Sequence, residues 1–321
     1  MANLNNTLEM CAQSKLRKNI EVCISSANDI ALLDTKFLSN FYFRGQANSE
    51  WYLSSSLERL FANYYNRTEF FYLLRLYEYE MLQEFKWKYP LYEKNLIPSP
   101  DDNIEWLSLM QHYGACTRLL DATESIFVAL FMATQNPYSK TDGAIWAINK
   151  NILNRSKYKQ YKKDVDKKST TIPFSKVELY SYNLANKFIG RSFPRGKCPQ
   201  QVINIKPKMC NERLVIQQGL FLMPTDISVS FMQNLDSTLG GNRFFNKMKY
   251  SKLIEYSHDE RHKTNNDDIL MFKIVIPFDL KLGVTQLLSH MNISSETMFP
   301  GLSGLATSLN KLRFGLGDYE E

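Results

Sequence analysis

At 321 residues, with 44% hydrophobic and 22% charged, the chain can bury one large core or two smaller ones, and its composition excludes a disordered polymer. No apolar run approaches the ~18 residues of a membrane span, and MANLNNTLEMCAQSKLRKN lacks a basic-then-apolar leader pattern, so a cytoplasmic protein is expected. Five scattered cysteines with no Cys-x-x-Cys pair argue for reduced thiols and against structural zinc, so no metal is expected.

The first 38 residues read as a helical N-terminal segment, with Ile20, Val22, Ile24 and Leu32 among its apolar positions. In FLSNFYFRGQ, the triplet FYF ahead of Arg-Gly predicts a short buried strand ending in a turn. TEFFYLLRLYEYEMLQEFKWKYP spaces its apolar residues three and four apart and stops at Pro90, which predicts a long helix with Thr68 and Glu69 at its start. NLIPSPDD is a loop. Asp102 then caps a second helix through IEWLSLMQHYG, and Gly114 takes a left-handed terminating position.

TESIFVALFMATQNP predicts a capped apolar helix ended by Asn136 and Pro137, and GAIWAIN a strand. The net charge of +6 is concentrated beyond it. From Lys150 to Lys168 eight basic residues face only Asp164 and Asp166, and Lys187, Arg191, Arg195, Lys197, Lys206 and Lys208 follow. This basic insertion, at about residues 150–208, has two readings. It is a solvated charged loop, or a nucleic-acid surface on which Lys157, Lys159, Lys162 and Lys163 neutralise phosphates while Tyr158 and Tyr161 stack on bases.

RLVIQQGLFLMP and DILMFKIVIP read as strands, FDLKLGVTQLLSHM as a helix, and SSETMFPGLSGLATSLNKL as another with Pro300 inside or between its turns. Strands and helices mix without regular βαβ alternation, so the fold class is α+β. There is no internal repeat, and neither phosphate-binding glycine fingerprint occurs.

The stretch QHYGACTRLLDATE packs Gln, His, Tyr, Thr, Arg, Asp and Glu into fourteen positions, a composition that burial does not need. Arg118 and Asp121 form either a buried ion pair that fixes the turn or part of a site. His112 at a helix end is a capping donor or a base that activates an acceptor hydroxyl or amine. Glu124, three residues after Asp121, serves a helix N-terminus or catalysis. His258 and His262 flank Glu260 at a spacing seen in metal sites, but their polar surroundings point to a solvated loop or helix end.

Four blocks in order, FRGQ with WYLSSSLER, QHYGACTRLLDATES, RLVIQQGLF, and KIVIP with TMFPGLSGLA, resemble the FRG domain family over about residues 41–310, and the domain is expected at 39–315. The family has Trp where this chain has Ala122, and Asp where it has Gly301 and Ser303. Its Arg-Gly at a strand end is similar to the opening motif of ADP-ribosyltransferases. The resemblance therefore implies a split sheet of that kind, NAD as substrate, and an intracellular toxin or antiviral defence effector with a neutralising antitoxin protein as partner.

Carried over, the resemblance makes Arg44 the residue that contacts the NAD diphosphate or ribose, with Gly45 allowing close backbone approach and Thr117 taking the place of a central-motif Ser or Thr. Gln217, on the RLVIQQGLF strand, aligns with the catalytic Glu. Gln46, Gln111, Tyr113, Arg118 and Phe221 supply the rest of the NAD pocket. Breaking an N-glycosidic bond develops positive charge on the sugar, and a Gln cannot offset it, so Asp121, Glu124 or Glu212 is the candidate carboxylate. The acceptor is expected to be nucleic acid, RNA before DNA, recruited by the basic insertion. Two other readings remain: a non-catalytic nucleotide or nucleic-acid binding module, and a nuclease that uses His112 with a carboxylate.

Overall fold

The computed structural model describes residues 18–62, 70–93, 97–165, 172–190, 198–209, 211–240, 244–263 and 268–312. Its strands are β1 (Lys18–Cys23), β2 (Phe41–Gln46), β3 (Leu120–Thr123), β4 (Gly143–Asn149), β5 (Val202–Ile205), β6 (Gly219–Pro224), β7 (Phe245–Lys247) and β8 (Ile269–Ile276). They join one mixed sheet in the order β5-β6-β3-β2-β4-β8-β1-β7, antiparallel from β5 to β8 and parallel across β8, β1 and β7.

The helices are α1 (Thr35–Leu38), α2 (Ser56–Ala62), α3 (Phe70–Lys88), α4 (Asn103–His112), α5 (Ile126–Ala133), α6 (Lys150–Asp164) and α7 (Phe174–Phe188). They continue with α8 (Glu212–Ile216), α9 (Phe231–Leu239), α10 (Tyr250–His258), α11 (Glu260–Lys263), α12 (Lys281–His290), α13 (Ser295–Met298) and α14 (Leu302–Leu312). The mixture is α+β, as expected.

Every residue of β4 is buried, which explains its unbroken apolar run: a strand covered on both faces has no polar side to alternate with. Ile145 and Ala147 join Phe41, Phe43, α5 and α12 in one core, whereas Ala144, Trp146 and Ile148 join Tyr42, Leu220, Leu222, α6 and α9 in the other. A third cluster, around Trp106, Leu107 and Phe188, packs α3, α4 and α7 against β5 and β6.

Helix α5 lies directly on the sheet. A Cβ on Gly45 would stand 1.9 Å from the Ala129 carbonyl oxygen, and one on Gly143 would stand 2.6 Å from that of Ala133. These two glycines set the distance between helix and strands, so Gly45 serves the core rather than a ligand.

Several expectations need correction. In the N-terminal segment read as helical, the described part begins as strand β1. Ile20, Val22 and Ile24 alternate at period two, the strand period, and all three are buried. The basic run is not a loop either: Lys150–Asp164 forms α6, capped by the Asn149 side chain, which accepts from the amides of Asn151 and Ile152. Ile152, Leu153 and Lys157 make its buried side, and α7 packs beside it. Asp102 precedes α4 but gives no side-chain cap. Its carboxylate instead accepts from Tyr182, Asn186 and Lys208, which tie α4 to α7 and to the segment after β5. Helix α5 ends at Ala133, short of Asn136, and Gln217 sits in the turn before β6 rather than on the strand. Thr68, Glu69, Lys167, Lys168, Arg191, Arg195 and Lys197 lie outside the described residues.

Candidate functional site

Strand β2 pairs with β4 along its whole length, from Phe41 to Gln46, but with β3 at the single register position Phe43↔Thr123. Beyond Phe43 the two strands part. Arg44 bridges the gap: its Nη1 donates to the main-chain oxygen of Asp121 at 3.0 Å and to Oδ2 of the same residue at 3.3 Å. A cavity of about 750 Å³ opens at this parting, between β2, β3, α5 and the segment Ala47–Ser54.

Asp121 is held from both sides. Oδ1 accepts from Gln111 Nε2 at 2.6 Å, and Gln111 in turn accepts from the Thr117 hydroxyl. Thr117 is fully buried and also receives the Leu119 amide at 3.1 Å, so it fixes Gln111, which fixes Asp121. The carboxylate is nonetheless half exposed, 50% against 22% for the Arg44 side chain, and this open half faces the cavity.

Three guanidinium groups line the same cavity: Arg44, Arg59 and Arg213. Burial first, and then the nearby positive charge of Arg44, draw the Arg59 guanidinium below its ordinary value. Nη1 of Arg59 donates to the Ser54 carbonyl at 2.5 Å, and Arg213 lies 4.8 Å from the centre of the Phe299 ring. Arg44 Nε is buried and has no partner among the described residues. Cations gathered against their mutual repulsion, with a donor still open, suit an anion with several oxygens. Trp51, Tyr52 and Phe299 add aromatic faces to the walls, and Trp51 and Tyr52 are more than half exposed. Glu50 and Asp121 are the acidic side chains among the lining residues.

Of the residues singled out in the sequence, Arg44, Gly45, Gln46, Asp121 and Gln217 reach the cavity. Gln46 is buried and is spent on structure, accepting from the Trp146 indole at 2.8 Å and donating to the Tyr52 carbonyl at 3.3 Å. Gln217 donates to the Met298 carbonyl at 2.8 Å, and its own carbonyl accepts from the Thr123 hydroxyl at 2.7 Å. It therefore ties α13 and β3 to the cavity rim.

The others stand elsewhere. Arg118 is fully buried and forms a two-pronged pair with Glu78 of α3, so its partner is not Asp121 and it contacts no ligand space. Phe221 is buried in the third core cluster. Tyr113 is exposed beside a separate apolar groove formed by α3 and α4. His112 lies outside the cavity with Nδ1 3.3 Å from Asn211 Nδ2, and burial together with Arg213 lowers its pKa, which favours the neutral ring at pH 7. Glu124 faces Lys206 at 3.1 Å, while Ser125 is the residue that caps α5. Glu212 opens α8 and is not among the lining residues.

The basic helix also departs from expectation. Lys157 is buried and paired with Glu178 at 2.6 Å. The Tyr158 hydroxyl accepts from the Ile172 amide, and Tyr161 meets Tyr180 edge to face with ring centres 5.3 Å apart, so both rings are engaged between α6 and α7. Lys162 lies over Tyr158, and Lys159 and Lys163 are exposed on α6. His258 binds the Leu32 carbonyl and His262 stacks on Tyr256; among the described residues no three His, Cys, Asp or Glu side chains group as for a metal ion.

Residues missed in the sequence are Glu50, Trp51, Tyr52, Arg59, Arg213 and Phe299, which come from separate segments and meet only in the fold. All but Glu50 sit in the four sequence blocks, Trp51, Tyr52 and Arg59 in WYLSSSLER, Arg213 at the head of RLVIQQGLF and Phe299 in TMFPGLSGLA, so a block-level signal existed without marking the individual side chains. The FRG domain family model matches residues 39–142, a stretch that runs from β2 through α5 and contains Arg44, Arg59 and Asp121. Arg213, Gln217 and Phe299 complete the cavity from outside it. No curated protein and no solved structure matches the chain.

Proposed function

We propose that the chain is an ADP-ribosyltransferase-like enzyme that binds NAD in the cavity at the parting of β2 and β3 and transfers ADP-ribose to an acceptor. The observation that carries this reading is Arg44, which spans the gap to Asp121 while Arg59 and Arg213 converge from the other walls. A diphosphate presents the several oxygens that three guanidinium groups can bind, and Trp51, Tyr52 and Phe299 offer faces for the two bases. The cavity volume, about 750 Å³, is within the range of small-molecule sites.

In the reaction the bond between ribose C1′ and the nicotinamide nitrogen breaks, the electron pair leaves with nicotinamide, and the acceptor oxygen or nitrogen closes a new bond on C1′ and loses its proton. Asp121 supplies the negative charge that offsets the developing oxocarbenium ion, and Gln111 and Arg44 hold it in place. Gln217 stays a positioning residue because its side-chain amide is committed to Met298. The acceptor in this reading is nucleic acid, RNA before DNA, and the enzyme acts as a toxin or defence effector restrained by a neutralising protein.

The test is incubation of the chain with labelled NAD and, in separate reactions, RNA, DNA and protein. Label that enters one fraction and is lost with Arg44→Ala supports transfer and identifies the acceptor. One feature favours the non-catalytic binding module instead: both oxygens of Asp121 are already engaged. NAD binding with no nicotinamide released would select that reading.

A further inference from the structure

A second polar cavity, of about 490 Å³, lies where β2 begins, β5 ends, and α6 and α7 cross the sheet. It is separate from the cavity at Arg44. Tyr42, two residues before Arg44 on β2, lines it, together with Asn204 of β5 and Lys150 and Asn154 of α6.

Its walls combine cations with one buried polar atom, Asn204 Oδ1, that has no partner among the described residues. Lys206 faces Glu124 at 3.1 Å, Lys208 faces Asp102 at 2.7 Å, and Glu178 is already taken by Lys157 at 2.6 Å. Lys150 lies over the Tyr42 ring, 5.8 Å from its centre, and has no carboxylate partner among the described residues. The cavity therefore keeps one positive charge that no acidic side chain offsets.

Asn204 is the more telling residue. It is 7% exposed, and its Nδ2 donates to the Tyr42 hydroxyl at 3.0 Å and to Asn154 Oδ1 at 3.4 Å. Its Oδ1 is buried with no donor. A buried acceptor without a donor costs about 1–3 kcal/mol, so a group with an N–H or O–H is expected against it. The Tyr42 phenol, with Asn204 donating to it, keeps its own proton to offer. Burial and the nearby Glu124 push its pKa up to about 12, so the proton stays on at neutral pH. On the solvent side Phe174 and Leu179, each more than half exposed, form an apolar wall.

We propose that this cavity is a second, nucleotide-binding site that takes a 5′-phosphorylated nucleoside: the phosphate meets Lys150 and Lys206, the base lies against Phe174 and Leu179, and an N–H of the ligand donates to Asn204 Oδ1. A bare anion would leave the acceptor and the apolar wall unused, and an uncharged nucleoside would leave Lys150 unmatched. The site does not depend on NAD binding at Arg44.

The test is calorimetric titration of the full chain with AMP, adenosine and inorganic phosphate. AMP is expected to bind at least about tenfold more tightly than adenosine or phosphate, because only AMP meets both the cations and the buried acceptor. Lys150→Gln with Lys206→Gln should weaken AMP by at least about tenfold, as loss of charge-assisted contacts predicts, while Arg44→Ala leaves one AMP site intact. Phe174→Ala, on an exposed side chain, gives a second reading and should also weaken AMP without weakening phosphate. Four results would overturn the assignment: no AMP binding by the wild-type chain, phosphate equal to AMP, AMP unaffected by the double lysine substitution, or AMP binding abolished by Arg44→Ala alone.

Discussion

The Arg44 guanidinium binds Asp121 twice, through the main-chain oxygen at 3.0 Å and the carboxylate at 3.3 Å, and so closes by a side chain the gap that two parting strands leave in the sheet. Main chain, charge and cavity are joined in one contact. Asp121→Asn keeps an oxygen that accepts from Arg44 but removes the charge, and its amide nitrogen leaves Gln111 Nε2 without the acceptor it has in the wild type. Nicotinamide release is then expected to fall by about 10²–10³, the usual cost of losing one electrostatic contact in a transition state, with NAD affinity changed far less. A variant with full turnover would relieve Asp121 of its role.

Gly45 provides a contrasting case beside it. A Cβ at this position would lie 1.9 Å from the Ala129 carbonyl oxygen and 2.8 Å from the Ala133 nitrogen, both main-chain atoms that cannot step aside cheaply. Gly45→Ala should push α5 off the sheet and cost about 1–3 kcal/mol or more, measured by urea unfolding. A stable variant that had lost only NAD binding would restore Gly45 to the ligand.

Arg118 and Glu78 form a buried pair, 1% and 2% exposed. Glu78→Gln leaves a buried guanidinium without its counter-charge and should cost about 3–5 kcal/mol by chemical denaturation, whereas replacing both residues with apolar ones should cost much less. Neither change should alter NAD affinity in the folded fraction, since the pair does not line the cavity. An affinity loss with stability unchanged would contradict this.

Asp102 gives a pH dependence. Burial raises its pKa, but hydrogen bonds from Lys208, Tyr182 and Asn186 outweigh that and hold the carboxyl below its ordinary range. A carboxylate with a depressed folded-state pKa adds stability above its unfolded value, about 3.9, and that stability is lost as pH falls through the folded value. Asp102→Asn should therefore be less stable than wild type at neutral pH, with the difference shrinking below about pH 4. A constant difference across that range would show that Asp102 does not stay charged.

Much of the fold was legible because period and punctuation agreed. The run in β4, the three- and four-residue spacing in α3, and Gly114 with φ +88 each carry a local signal. Failures came where two periods overlap or where tertiary pairing decides. Ile20, Val22 and Ile24 fit a strand better than a helix, and only their place between β7 and β8 makes β1 a sheet member. The lysines of α6 masked Ile152, Leu153 and the buried Lys157. Phe221 reads as a ligand-facing aromatic, yet on β6 it alternates with Leu220 and Leu222 and points into the opposite core. Arg44 and Asp121 were found because their blocks stand out. Arg213 and Phe299 were not, although RLVIQQGLF and TMFPGLSGLA contain them, because a block does not tell which of its side chains reaches across a cavity.

The most direct measurement is nicotinamide released from NAD by the purified chain and by Arg44→Ala. The account predicts release by the wild type, with acceptor present, and an apparent NAD affinity at least about tenfold weaker in the variant, since charge-assisted contacts to the diphosphate are lost. Equal release, or equal NAD affinity, in the two proteins would contradict a site built on Arg44.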